Sequence, residues 1–451
     1  MSDHDAAAFV ADPLGWLLDA SRRGPTAIVS RSGSVLSRAP SGSGTVAVFG
    51  PDSVRTVLND IATFGMPVSV STRYRLPEPL ANLNNALFSM TGAEHRERQH
   101  LLAKLLAPAL GAEHRDAIER GVRAFLGTIP PGAEIRVIQE MRELARHVAE
   151  EVLFGSAEPH EPVGREIQRY FELRRRYASR EGGQTDEGGL DALVAQGTRV
   201  DSLLRARVRA LRRSPRGHGY SVLGELCSYA DDPALALGED ELVAHANILF
   251  MSSSEPIATA MTWTLLALAS RPALRAAIRE EGEEPFATSP LLVGTIREVL
   301  RLVPPSAILV RLTRRAGQVG GVDLPAGCEV ILSPFVEHRR PFPFVEPHRL
   351  WPERWRTVQP GPYEFLPFGA GARACLGRRI ALSTLKLATR AILAKADPVL
   401  AHPQWLDWRM NLTLLPSTDP VLHMAAPGSR SGPVAELSGP AAALLTPEGA
   451  G

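Results

Sequence analysis

Cys375 stands in the stretch Phe368-Gly369-Ala370-Gly371-Ala372-Arg373-Ala374-Cys375-Leu376-Gly377, and an apolar helix-like run from Ile380 to Leu393 follows at once. A thiol placed just before a helix N-terminus faces unpaired backbone N–H groups and the positive end of the macrodipole. That setting is expected to lower the thiol pKa and favour thiolate, the form that binds metal. Gly371 permits a backbone conformation closed to residues with a Cβ, and Gly377 lets the chain pass close to a flat ligand. Arg373, two positions before the sulfur, can aim a permanent charge at an anion beside the metal. The plain alternative is a buried cysteine serving as a small hydrophobe.

Two further groupings carry chemistry. Glu298 and Arg301 lie at i and i+3, on one helix face, where carboxylate and guanidinium can pair. On a surface such a pair contributes only a few tenths of a kcal/mol. The segment Leu249-Phe250-Met251-Ser252-Ser253-Ser254-Glu255-Pro256-Ile257 sets an acid and a proline inside a long helical pattern. The proline removes one backbone donor and presses on the carbonyl four residues earlier, that of Ser252. The freed carbonyl then needs another partner.

The elements that must position these groups are mainly helical. Thr26 to Val29 and Val46 to Phe49 read as strands. Residues 65 to 92 read as loop. Helical patterns cover 93–106, 113–126, 138–153, 238–269 and 290–302. Residues 180–189 read as a break between two helices. Val319 to Pro334 reads as strand, turn, strand, with Leu324-Pro325-Ala326-Gly327 as the turn. Residues 426–451, rich in Gly, Pro, Ser and Ala, read as a disordered tail after a folded region spanning 1–425.

The pattern Phe368-x-x-Gly371-x-Arg373-x-Cys375-x-Gly377 resembles the haem-ligand signature of the cytochrome P450 superfamily, with every specified position filled. The resemblance implies a single-domain fold, mainly α with a minor β-sheet region, and haem b (iron protoporphyrin IX) bound through Cys375. Phe368, Gly369, Arg373 and Gly377 would complete the ligand loop. It implies that Glu298, Arg301 and Arg354 of Pro352-Glu353-Arg354-Trp355 form a buried charge network, with Trp355 where the family has Phe. It also implies that Arg311 and His95 join Arg373 in binding the haem propionates. In Gly92-Ala93-Glu94-His95-Arg96-Glu97-Arg98-Gln99-His100 the family's arginine position is filled by Gln99, a neutral donor; Arg98 and His100 are the neighbouring alternatives. His338-Arg339-Arg340-Pro341 and Gly321-Val322-Asp323-Leu324-Pro325-Ala326-Gly327 match further family stretches, with Arg340 where Asp is usual.

The central helix departs from the family's acid–threonine pair. Glu255 takes the acid position and Pro256 the threonine position, so the proline supplies no hydroxyl. Proton delivery would then fall to Ser252, Ser253 or Ser254, to water held by Glu255, or to the substrate. The plain alternative for Glu255 is an ion-paired structural residue.

The resemblance implies a monooxygenase that oxidises a hydrophobic or amphiphilic small molecule, with electrons from a ferredoxin and its reductase, in bacterial specialised metabolism. Arg378, Arg379 and Lys386 would form the basic face meeting an acidic ferredoxin. Residues 66–92, 166–190, 250–257, 304–310 and 411–416 would line the substrate pocket, with Asn82, Asn84, Asn85 and Arg73 as polar contacts. Two alternatives keep the haem: an atypical enzyme that uses peroxide, couples phenols or rearranges its substrate, and a non-enzymatic sensor or ligand-binding protein.

Bulk properties fit this picture. The 451 residues are 44% hydrophobic and 22% charged, ordinary for a chain with a large core. Net charge is +1, from 50 basic and 49 acidic residues, which gives no global argument for nucleic acid or an anionic membrane. Three cysteines, Cys227, Cys328 and Cys375, suit a reducing compartment rather than a disulfide framework. No stretch reaches the ~20 apolar residues that span a bilayer. A cytoplasmic monomer without membrane anchor is the expectation.

Overall fold

A computed structural model describes residues 4–37, 42–67, 77–106, 111–155, 163–179, 187–214, 219–230, 232, 235, 237–281, 289–428 and 436–445. Its helices are α1 His4–Ala11, α2 Pro13–Ser21, α3 Pro51–Asn59, α4 Leu80–Leu83, α5 Gly92–Leu106, α6 Ala112–Thr128, α7 Val137–Phe154, α8 Val163–Ser179, α9 Glu187–Arg213, α10 Val222–Ser228, α11 Glu239–Ala269, α12 Pro272–Glu280, α13 Pro290–Leu302, α14 Pro334–Glu337 and α15 Arg378–Lys395. The strands are β1 Thr26–Ser30, β2 Thr45–Val48, β3 Phe64–Gly65, β4 Glu134–Arg136, β5 Leu309–Thr313, β6 Gly317–Val319, β7 Val322–Leu324, β8 Glu329–Leu332, β9 Asp397–Leu400, β10 Gln404–Trp405, β11 Trp408–Met410, β12 Leu414–Pro416, β13 Val421–Ala425 and β14 Leu437–Ser438. The fold is mainly α with a minor β region, as expected.

The C-terminal half of the central helix α11 is buried all round, with Leu265, Leu266, Ala267 and Leu268 at 0% exposure. A helix of that kind belongs inside a protein. It packs most extensively against α7, whose own buried stripe (Met141, Leu144, Ala145, Val148, Val152) follows helical spacing. Closer approach elsewhere depends on missing side chains. In α13, a Cβ added to Gly294 would lie 2.3 Å from the Pro352 carbonyl oxygen, so the helix can press directly onto residues 352–356.

The largest sheet runs in the order β1-β2-β8-β5-β3, with β2 and β8 parallel and the other pairs antiparallel. Turn 324–327 does join two strands, but β7 pairs with β6 while β8 pairs with β5 and β2. It therefore links two sheets rather than closing one hairpin. Residues 65–92 are not loop throughout, since β3 ends at Gly65 and α4 interrupts the segment. Of the expected break at 180–189, residues 180–186 lie outside the described residues, as does Arg73.

Residues 436–445 depart from the expected disordered tail. β14 pairs in parallel with β10, and Ala441 and Leu445 are fully buried. The Leu445 carbonyl accepts from Arg271 Nε at 2.6 Å. Averaged over 26 residues, the Gly, Pro, Ser and Ala content hides a short apolar anchor, Ala442-Ala443-Leu444-Leu445. No helix among the described residues is long and apolar enough to cross a membrane.

Candidate haem-thiolate site

The Cys375 loop is built by backbone hydrogen bonds. Gly369 N–H donates to Leu366 O at 3.0 Å, Ala374 N–H to Gly371 O at 3.1 Å, and Cys375 N–H to Phe368 O at 2.9 Å. Gly371 has φ +68°, and a Cβ there would meet the Leu58 carbonyl oxygen at 2.5 Å. Both observations require glycine at this position. Gly377 caps α15, and the N–H groups of Gly377 and Arg378 point at the Cys375 sulfur.

The expected drop in thiol pKa does not follow from this arrangement. Burial pushes the Cys375 thiol above its ordinary value, and the two N–H groups and the Arg378 charge offset this only in part. Metal coordination itself would supply the thiolate, because a coordinating thiol is deprotonated outright. The side chain is nevertheless exposed, so the sulfur is reachable while protein crowds its surroundings. Cys227 and Cys328 are buried, and burial pushes their thiols up to about 12 and about 11. Neither is a rival ligand.

Three nitrogen donors expected beside the ligand loop come from α5, β5 and the loop itself. His95 is buried, and desolvation together with the nearby Arg373 and Arg96 charges lowers it to about 4. Arg311 is buried, and burial and Arg373 bring it down to about 10. Arg373 is lowered by burial and by Arg314. Among the described residues no carboxylate pairs with Arg311 or Arg373. Arg311 Nη1 donates to its neighbour Val310 O at 2.9 Å, and Arg373 donates to Leu87 O at 3.2 Å and Met90 O at 2.8 Å. A buried and a half-buried cation that repel each other without a counter-charge are costly. Two carboxylates of a porphyrin would neutralise them. By this test the residues present fit haem b.

Gln99 does something other than the expected propionate contact. Its amide donates to the Ala372 carbonyl inside the ligand loop. Arg98 does not compensate, because it forms a two-pronged ion pair with Glu241 of α11. His100 is exposed.

Glu298, Arg301 and Arg354 lie together in a buried charge cluster. Arg301 and Glu298, both 0% exposed, make a bidentate pair at 2.8 and 2.9 Å, and Arg354 Nε lies 3.3 Å from Glu298 Oε1. The aromatic at 355 contributes more than shape. Its indole Nε1 donates to Glu298 Oε1 at 3.0 Å, while Trp351 N–H donates to Oε2 at 2.8 Å. Arg301 also holds the carbonyls of His338 and Pro347, at 3.1 and 2.5 Å. His338 passes the fixation onward, accepting from Leu366 N–H at 2.7 Å just ahead of the ligand loop.

On α11 the sequence left the role of Glu255 open. In the structure its carboxylate accepts from Arg142 of α7 at 3.0 and 2.6 Å. Burial pulls Arg142 down, but the Glu255 bond and charge outweigh it and hold the guanidinium above its ordinary value. The structural alternative weighed for Glu255 thus has a specific partner. Ser252 is exposed, and its hydroxyl donates back to Ile248 O; Ser253 donates to Phe250 O at 3.0 Å. Ser254 is buried, without a protein partner among the described residues. Pro256 sits inside the continuous helix.

Helix α11, beyond its expected wall 250–257, meets the segments 304–310 and 411–416 here. Thr259 lies 2.9 Å from Thr413 at the tip joining β11 and β12, Trp263 Nε1 donates to Leu414 O at 2.7 Å, and Leu414 N–H donates to Pro305 O at 3.1 Å. Asn84 is committed elsewhere, to Leu80 O and Tyr170, and Asn82 faces Asp201 at 3.5 Å. Asn247, which sequence reading passed over, ties α11 to the Leu83 carbonyl at 2.9 Å.

Comparison with known proteins agrees with this architecture. The family model "Cytochrome P450" matches residues 205–400. Cyclooctatin synthase of Streptomyces melanosporofaciens is 30% identical over 340 residues, 69% of this chain and 72% of that protein. Cyclooctat-9-en-7-ol 5-monooxygenase of the same organism is 26% identical, again over 69% and 72%. Among solved structures, a six-coordinated cytochrome P450 from Thermus thermophilus superposes with a TM-score of 0.68 at 24% identity, covering 92% of this chain and 99% of that one. The chain belongs to the cytochrome P450 family, whose members bind haem b through a cysteine thiolate.

Proposed function

We propose that this protein is a monooxygenase of bacterial specialised metabolism. It would use dioxygen and two electrons, delivered by a ferredoxin and its reductase, to oxidise a hydrophobic or amphiphilic small molecule. The observation that carries the reading is the accessible Cys375 sulfur at the N-terminus of α15, with the buried Arg311 and half-buried Arg373 that have no carboxylate partner among the described residues. Bound there, haem b supplies oxidative chemistry in which thiolate donation favours O–O cleavage. Cys375 would hold the iron, and His95, Arg311 and Arg373 would hold the propionates. Phe368, Gly369 and Gly377 shape the loop, and Gln99 steadies it through Ala372. The chain's own contribution is otherwise to position substrate and exclude water. Two Streptomyces relatives, named for cyclooctatin and for a cyclooctat-9-en-7-ol 5-monooxygenase, favour a largely apolar substrate. Exposed Arg378 and Arg379 support a basic docking face for an acidic ferredoxin.

Proton supply is where this chain differs. Glu255 is gripped by Arg142, Pro256 has no hydroxyl, and the Ser252, Ser253 and Thr259 hydroxyls each donate to a helix carbonyl. Each hydroxyl has one proton to give, so protons would come from the uncommitted Ser254, from water or from the substrate. The same observation favours a second reading, an atypical enzyme using peroxide. Turnover of candidate apolar alcohols under dioxygen with ferredoxin and reductase, compared with turnover under peroxide alone, separates the two. Product formed only with peroxide would overturn the monooxygenase reading.

A further inference from the structure

Pro256 lies inside the continuous helix α11, and the residue before it, Glu255, is held from two sides. From one side Arg142 grips the carboxylate at 2.6 and 3.0 Å. From the other, Thr259 Oγ1 lies 2.9 Å from the Glu255 carbonyl oxygen and 2.9 Å from Thr413 Oγ1. The Thr259 hydroxyl carries a single proton, and a carbonyl can only accept. That proton therefore goes to Glu255 O, and the Thr413 hydroxyl donates to the Thr259 oxygen. The chain Thr413 to Thr259 to Glu255 carbonyl is buried, with Thr259 at 0% and Thr413 at 4% exposure. Linked hydrogen bonds of this kind strengthen one another in a dry site.

Thr413 is also the last residue of the tip Asn411-Leu412-Thr413, whose central Leu412 is 58% exposed. One helical turn beyond Thr259, Trp263 holds the next tip residue through the Leu414 carbonyl. Two bonds spaced i, i+4 along α11 thus fasten the hairpin to the helix directly after the proline. A back-bonding threonine bends a helix slightly, so the pair acts on the segment that contains Pro256.

We propose that Thr413 and Thr259 are positioning residues. Their hydroxyl pair sets the separation between the proline-containing helix and the β11–β12 tip, and with it the shape of the substrate space above Cys375. This rests on the haem-thiolate reading but not on the choice of oxidant. It concerns pocket shape and assigns neither threonine a proton-transfer step.

The test uses the haem-loaded ferric enzyme and two nitrogen ligands read by their spectral shifts. Imidazole reports on access to the iron alone, and 4-phenylimidazole also samples the space above it. Thr413→Val keeps the side-chain shape and removes the hydroxyl. Its 4-phenylimidazole affinity should change about fivefold, the scale of one buried hydrogen bond, with imidazole affinity little altered. Thr413→Ser should restore the wild-type value. Thr259→Val should have a similar effect, and the double valine variant should change no more than either single one. Equal behaviour of Thr413→Val and wild type, equal effects of the valine and serine variants, or fully additive valine effects would each overturn the proposal. If Thr413→Val fails to fold, Thr259→Val compared with Thr259→Ser decides by the same criterion. A wild-type protein that gives no spectral shift with imidazole overturns the haem-thiolate reading itself.

Discussion

At the residue scale, the most telling position is Glu255. Its type and place in a helical pattern were legible, and so was the proline after it. Its partner Arg142 was not, because 113 residues separate them and no local spacing reports a tertiary ion pair. Gln99 teaches the same lesson: the side chain was singled out, but its acceptor is the Ala372 carbonyl 273 residues away. For Glu255→Gln the expected outcome is a stability loss of about 1–2 kcal/mol, between the values for exposed and buried ion pairs, since both side chains are partly shielded. Denaturant titration measures it. The pH profile of turnover should keep its shape. A profile that changes while stability does not would return Glu255 to the proton path.

At the scale of elements, α13 and the segment it supports give two predictions. Helix propensity alone would forecast a gain from Gly294→Ala. The Pro352 carbonyl 2.3 Å from the added methyl forecasts the reverse. We expect a loss of about 1–3 kcal/mol, the usual cost of overpacking, and a lower melting temperature; unchanged stability would mean that the helix can shift freely. His338 gives the second. Its Nε2 accepts from Leu366 N–H, so the folded state needs the ring neutral, and complete burial lowers it to about 3 from an unfolded value of 6.5. Below pH 6.5 the unfolded chain takes up the proton first. The stability contribution is therefore complete above pH 6.5 and falls toward pH 3, by about 1.4 kcal/mol per unit from this group. Stability measured against pH should decline less steeply in His338→Asn, and an identical slope would refute the assignment. The pairing of Glu298 with Arg301 was readable from helical spacing. The donation from Trp355 was not, because an aromatic swap in sequence says nothing of where an indole N–H will point.

At the scale of the whole molecule, the helical periodicities located α5, α6, α7, α11, α13 and α15 within a residue or two but gave no bounds for α8 and α9, since long amphipathic or apolar runs are the strongest local signal. The sheet partners of β7 and β8 were hidden, because strand pairing is set by the chain's return path and not by the turn alone. Composition misread residues 436–445, where three leucines and a strand pair outweigh an average. All these elements converge on one ligand loop. The most direct test of that convergence is the absorption spectrum of the reduced, haem-supplied protein under carbon monoxide. Wild type should show the red-shifted thiolate-type band, and Cys375→Ala should lose it while retaining the fold. A colourless wild-type protein, or a Cys375→Ala variant that keeps the thiolate band, would contradict the account.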